Sequence, residues 1–230
     1  MQTESDPNAS PFNAIPPVVI ALFVVIVVIE AALSLAAQGV IGGQAGIGWR
    51  IAAIEDYGFS PTVLDLVTEQ GNWSFDIIKR FVTYPFVHGS FTHAVFAAVL
   101  LLALGKYVGE VFHPIAVLIV FFAATIFAAV IYGILIRENF PLFGAFPPVY
   151  GLIGAYTYIL WVRLSRSGQN QLRAFRMIGF LMALQLVYAL LFGGQPTWVA
   201  DVAGFVAGFS LSILVAPGGW AAFLRRVRNR

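Results

Sequence analysis

The chain has no cysteine, three histidines, and charge on only 10% of its 230 residues. Without cysteine it can hold no disulfide and no thiolate-bound metal. Soluble domains carry about 25% charged residues, so this composition leaves too little polar surface to face water. A nucleic-acid footprint is missing too: the net charge is +2, and the basic residues gather at the ends of apolar runs rather than on one face. The opening Met-Gln-Thr-Glu-Ser-Asp lacks the basic region of a signal peptide, so the first apolar run is expected to be retained. Nor do the runs alternate apolar with polar residues, which argues against a transmembrane barrel.

What is present is long, continuous hydrophobicity, at 60% of residues. Crossing hydrocarbon takes about 20 apolar residues as a helix, and a helix satisfies its own backbone there. Six spans are predicted, over residues 15–37, 93–111, 114–136, 146–164, 174–192 and 198–216. The expected fold is an all-α polytopic membrane protein with one membrane domain over 15–216. A tail over 1–14 precedes it and a basic tail over 217–230 follows. The loop over 39–92 mixes Trp49, Tyr57, Phe59, Trp73 and Phe75 with Glu55, Asp56, Asp65 and Asp76, and is broken by Gly58, Pro61 and Gly71. Aromatic residues favour the headgroup region, so short helices lying on the membrane surface are expected there.

Six spans put both termini on one side. That side holds Lys106, Arg163, Arg166, Arg173, Arg176, Arg225, Arg226, Arg228 and Arg230, against Arg50, Lys79, Arg80 and Arg137 on the other. The bias places both termini in the cytoplasm. The arginine-rich tail serves that topology, with anionic-lipid binding as a second role. The compact chain suggests a bacterial inner membrane.

Charges in hydrocarbon are costly and need a reason. Glu30 lies late in the first span, either near the outer headgroups or at a site. His93 opens the second span and Asp201 the sixth. Asp201, Gly204 and Gly208 share a helix face, and Ala200, Gly204, Gly208 and Ser212 form a ridge at steps of four. Gly151, Gly154 and Ala155 offer a matching groove, so the fourth and sixth spans are expected to pack closely. Asp201 is then either a solvated cap or one half of a buried pair. Gln185, in the fifth span, is expected to hydrogen bond to a neighbouring helix.

Three motifs now fall into register. The segment Arg80-Phe-Val-Thr-Tyr-Pro-Phe-Val-His-Gly-Ser-Phe-Thr-His93 resembles the start of the second span in rhomboid intramembrane serine proteases. Gly151-Leu-Ile-Gly-Ala155 resembles the segment after their serine. Ala200-Asp-Val-Ala-Gly-Phe-Val-Ala-Gly208 is similar to their Ala-His-Leu-Gly-Gly-Phe-Leu-Ala-Gly. The resemblance covers about residues 80–216 and implies a rhomboid-like six-helix fold.

The departures fall on the chemistry. Where the family has Gly-Ala-Ser-Gly, this chain has Gly144-Ala145-Phe146-Pro147. By the resemblance, Phe146 corresponds to the nucleophile, Asp201 to the histidine base, and Ala97 to an asparagine that helps stabilise the oxyanion. His93 alone remains of the polar set. Serine catalysis needs a nucleophile and a base within hydrogen-bond reach, plus donors for the oxyanion. Losing one member of such a dyad costs about a million-fold in turnover. No catalytic residue is therefore intact. If the family geometry holds, Asp201 and His93 should hydrogen bond with each other.

The expected function is that of a rhomboid-like protein which binds single-span membrane-protein clients without cutting them, its other partner being the lipid bilayer. The resemblance supplies the client role, since inactive members of the family bind such clients. The alternative is a rhomboid serine endopeptidase with a relocated nucleophile: Ser90, Thr92, Tyr150 or Ser210. An aspartyl pair would need Glu138 brought beside Asp201. A metal is not expected, because His88, His93 and His113 show no ligand spacing, and no cofactor is expected either. A carrier would need polar residues in mid-membrane, where little stands beyond Thr125, Thr157 and Gln185.

Overall fold

A computed structural model describes residues 15–219. The tail over 1–14 and the arginines at 225, 226, 228 and 230 lie outside the described residues. Among the described residues the architecture is helical, with one isolated antiparallel bridge between Phe59 and Leu142.

Helix α1 covers Pro17–Ala37. Short helices follow: α2 (Gly43–Gly46), α3 (Trp49–Tyr57), α4 (Pro61–Thr68), α5 (Phe75–Ile78) and α6 (Arg80–Thr83). The long helices are α7 (Phe91–Gly109), α8 (Pro114–Leu135), α9 (Phe146–Arg166), α10 (Arg176–Phe192) and α11 (Trp198–Val215). Local chemistry explains the boundaries. Pro17, Pro61, Pro114 and Pro147 sit in first turns, where the missing amide hydrogen has no intrahelical partner anyway. Ser90 caps α7 by accepting from the His93 amide, and the His113 imidazole caps α8 by accepting from the Ile115 amide.

Four helices, α1, α7, α8 and α11, are long and apolar enough to cross a membrane. Helices α9 and α10 occupy the places expected for the fourth and fifth spans but fall outside that class. The reason for α9 is its position. It packs against α7, α8 and α11, and eleven of its residues are buried, among them Tyr150, Gly151, Gly154 and Thr157. A helix walled by protein need not be as apolar as one that faces lipid. Helix α10 has only 17 residues, roughly 26 Å of rise against a hydrocarbon core of about 30 Å.

The tightest contact joins α9 to α11. A Cβ at Gly204 would overlap the Pro147 carbonyl, one at Gly208 the Gly151 carbonyl, and one at Gly154 the Phe205 carbonyl. Backbone therefore touches backbone at three places along about two turns of α9. Ala155 is fully buried on the same helix. On its other side Gly151 faces Ala124 of α8. A second cluster ties the short helices to the bundle, with Phe59, Val63 and Tyr84 packing against Ala128, Ala129, Tyr132, Leu142, Ala200 and Ala203.

Gly208→Ala should force α9 and α11 apart at a cost of about 1–3 kcal/mol, as overpacking does. Gly179→Ala, in α10 with open space where the added methyl group would stand, should be neutral or slightly stabilising. Thermal unfolding in detergent should give a clearly lower midpoint for the first variant and no loss for the second. Equal midpoints would contradict the contact.

Candidate functional site

The N-terminal ends of α7, α9 and α11 frame a cavity of about 230 Å³. His93 reaches it from α7, Phe146 and Pro147 from α9, Gln185 from α10, and Asp201 from α11. The loop before α9 adds Pro141, Leu142 and Phe143, and the loop before α11 adds Gln195 and Thr197.

Backbone geometry delivers Phe146 to this place. Gly144 has φ +93°, a conformation that favours glycine. A Cβ there would lie 2.7 Å from His93 Cε1, so the glycine is also needed for space. The Gly144 amide donates to the Tyr84 carbonyl at 2.9 Å, and Leu142 and Phe59 exchange two backbone hydrogen bonds. The Ala145 amide donates to His88 Nε2 at 3.2 Å. The chain thus enters α9 pinned at three points, and the Phe146 ring lands on His93. The two rings stack with centroids 5.2 Å apart and planes inclined by 13°.

Asp201 and His93 line the same cavity, but the expected bond between them does not form. The Asp201 carboxylate instead accepts from Gln185 Nε2 at 2.8 Å, and Phe146 holds the His93 ring in its stack. Asp201 is only 4% exposed, so it is not a solvated cap either. Gln185 does reach a neighbouring helix, and the carboxylate is what it reaches. Ala97 is fully buried on α7, one turn after His93, and brings no polar atom.

The candidate hydroxyls are dispersed. Ser90 is occupied as the cap of α7, and Thr92 is exposed in the first turn. Tyr150 is 3% exposed within the core. Ser210 lies on an exposed face of α11, more than two turns beyond Asp201. Among the described residues no group of three metal-ligating side chains forms.

Sequence reasoning missed a buried polar anchor beside the cavity. Arg50 forms a two-pronged ion pair with Glu30, with Nη2 to Oε1 at 2.7 Å and Nη1 to Oε2 at 2.9 Å. Arg50 Nη1 also donates to the His88 carbonyl at 2.7 Å, and Ser34 Oγ donates to Glu30 at 2.7 Å. Glu30 is thus held as one half of a buried ion pair. The available signal was the isolated acid in the first span together with Arg50 early in the loop. Nothing in their spacing joins them.

His88 completes the link, since its carbonyl takes Arg50 while its ring takes Ala145. The ring is 1% exposed. Burial, and then the neighbouring His93, hold its pKa down at about 4, against an ordinary 6.5. The neutral imidazole suits its role as acceptor from the Ala145 amide.

Similarity to known proteins bears on this geometry. The family model described as a Rhomboid domain matches residues 77–218, more than half of the chain. The chain belongs to the rhomboid family. No curated protein matches it. The rhomboid match takes in α7 to α11, and with them His93, Ala97, Phe146, Gly151, Ala155, Asp201, Gly204 and Gly208. Glu30 and Arg50 lie before it.

The anchor can be probed through stability. Arg50→Met leaves Glu30 buried without its partner and should cost about 3 kcal/mol; Glu30→Gln combined with Arg50→Met should recover part of that loss in a double-mutant cycle of detergent unfolding. For His88, both folded and unfolded chains are neutral above pH 6.5, so stability is flat there. Between pH 6.5 and 4 only the unfolded chain gains the proton, so stability is lost as pH falls. His88→Gln should flatten that part of a pH–stability curve, and an unchanged slope would count against the buried neutral ring.

Proposed function

We propose that this rhomboid-family protein crosses the membrane six times and binds membrane-protein clients without hydrolysing them. The observation that carries this reading is the Phe146 ring stacked on His93 at 5.2 Å. By the resemblance, that is where a nucleophilic hydroxyl would face the substrate carbonyl. A benzyl group has no lone pair with which to attack. The base position holds Asp201, whose carboxylate is engaged by Gln185. The oxyanion position holds the methyl group of Ala97. Binding survives such losses, because a fold that admits a transmembrane segment from the side keeps that capacity without its chemistry.

In this reading α9 and α10 cross the bilayer within the bundle, the short helices α2 to α6 lie at the outer surface, and both termini face the cytoplasm of a bacterial cell. Trp73 and Phe75, at 70% and 81% exposed, suit a headgroup environment. Clients would approach beside α7 and α10, the second and fifth spans. The family resemblance extends the role to client trafficking or degradation. The competing reading, a protease with a relocated nucleophile, draws little from the placement of its hydroxyls: Ser90 caps a helix, Tyr150 is buried, and Thr92 and Ser210 are exposed.

A fluorophosphonate probe should leave the purified protein unlabelled. Labelling that disappears on Ser90→Ala, Thr92→Val or Ser210→Ala would establish a protease instead. A photo-crosslinker placed at position 146 or on α10 in living cells should trap a discrete single-span protein. Adducts to lipid alone would remove client binding.

A further inference from the structure

The cavity at the head of α9 has an unbalanced inventory. It holds a carboxylate, Asp201, 4% exposed, with Gln185 as its side-chain partner. The other end of the same amide, Gln185 Oε1, is buried with no hydrogen-bond partner. Among the described residues no lysine or arginine lines the space. A buried carboxylate without a counter-charge is costly, and so is a buried acceptor without a donor. The nearest compensation comes from the helix ends. Asp201 lies in the first turn of α11, where the helix dipole favours negative charge. The dipole's partial charge is less than the full positive charge a carboxylate can take as a partner.

The remaining walls include aromatic rings. Phe143 and Phe146 both line the cavity, and His93 backs the Phe146 ring in a near-parallel stack. Aromatic faces attract a cation held within about 6 Å. A carboxylate, a free amide oxygen and aromatic rings together complement an alkylammonium head, which has three donors, one positive charge and an apolar stem. Size narrows the choice. Pockets for whole small molecules measure roughly 300–1,000 Å³, and this space is about 230 Å³. It suits one head group. A compact ammonium fits such a space better than a broad planar guanidinium.

We propose that the cleft between His93, Phe146 and Asp201 is a recognition site for an alkylammonium group. Two sources share this chemistry: a lysine side chain on a bound membrane segment, and the ethanolamine head of a lipid. The first rests on the client-binding reading above; the site itself does not.

The chemistry is tested with the full chain in non-ionic detergent, titrated with butylammonium or with butanol and followed by calorimetry and by the thermal midpoint. Butylammonium should bind and raise the midpoint, while butanol should not. Asp201→Asn should weaken binding by at least about tenfold. Phe143→Leu, which leaves the carboxylate in place, should weaken it several-fold and covers the case of an Asp201 variant that fails to fold. Equal responses to butylammonium and butanol, or unchanged affinity in both variants, would overturn the site. The source is tested by cross-linking from position 143 to a single-span peptide carrying lysine or norleucine at its outer end, in nanodiscs of phosphatidylglycerol or phosphatidylethanolamine. Capture that requires lysine assigns the ammonium to a client; displacement of butylammonium by phosphatidylethanolamine assigns it to lipid. Client cross-links without butylammonium binding would sink the ammonium site and leave client binding standing. Butylammonium binding with no client cross-links would do the reverse.

Discussion

Helices α9 and α11 meet backbone to backbone, and the placement of Phe146 and Asp201 in the cleft depends on that contact. In lipid no hydrophobic drive pushes helices together, so close approach comes from van der Waals contact and hydrogen bonding. Gly204 and Gly208 present bare backbone to the carbonyls of Pro147 and Gly151. With no side chain between them, the height of Phe146 relative to Asp201 is set by the rigid helices themselves. The loop leading into α9 is then fixed from the other side by the Tyr84 carbonyl, the His88 ring and the Phe59 bridge.

Two groups of buried polar side chains differ in how fully they are satisfied, while His88 Nδ1 and Thr157 Oγ1 are also buried without a protein partner. Glu30, Arg50, Ser34 and the His88 carbonyl satisfy one another, with short bonds and a matched pair of charges. Tyr84 likewise donates to the Thr125 carbonyl at 3.0 Å, closing a bond between the loop and α8. These are structural ties, and their completeness explains why they carry no chemistry. Asp201 and Gln185 differ, because charge and acceptors remain in excess. Incomplete satisfaction inside a cavity marks where a folded protein is built to meet something else.

Much of the architecture was legible in the residues. The long helices begin within two residues of where apolar runs and first-turn prolines predict, and the ridge of Gly204 and Gly208 announced its partner helix. The positions of His93 and Asp201 around one cavity followed from the register of three motifs. The partner of Asp201 did not. Gln185 is 16 residues away on a helix without a matching motif, and the family pattern pointed to His93 instead. What the pattern could not convey is that Phe146 is a large flat ring, which claims the imidazole face for itself. The Glu30–Arg50 pair was hidden for another reason. One member looked like a surface residue of the first span and the other like a topology marker, and only folding of the intervening turns brings them together.

That pair also bears on how the chain is made. Acid and guanidinium stand 20 positions apart, on α1 and at the start of α3, with α2 between them. Both partners therefore leave the ribosome before α7 is synthesised. The acid of α1 thus has its cationic partner at hand before the rest of the bundle exists, and the same arginine then offers a donor to the His88 carbonyl. An insertion apparatus handling this protein would meet an acid in its lateral gate only briefly.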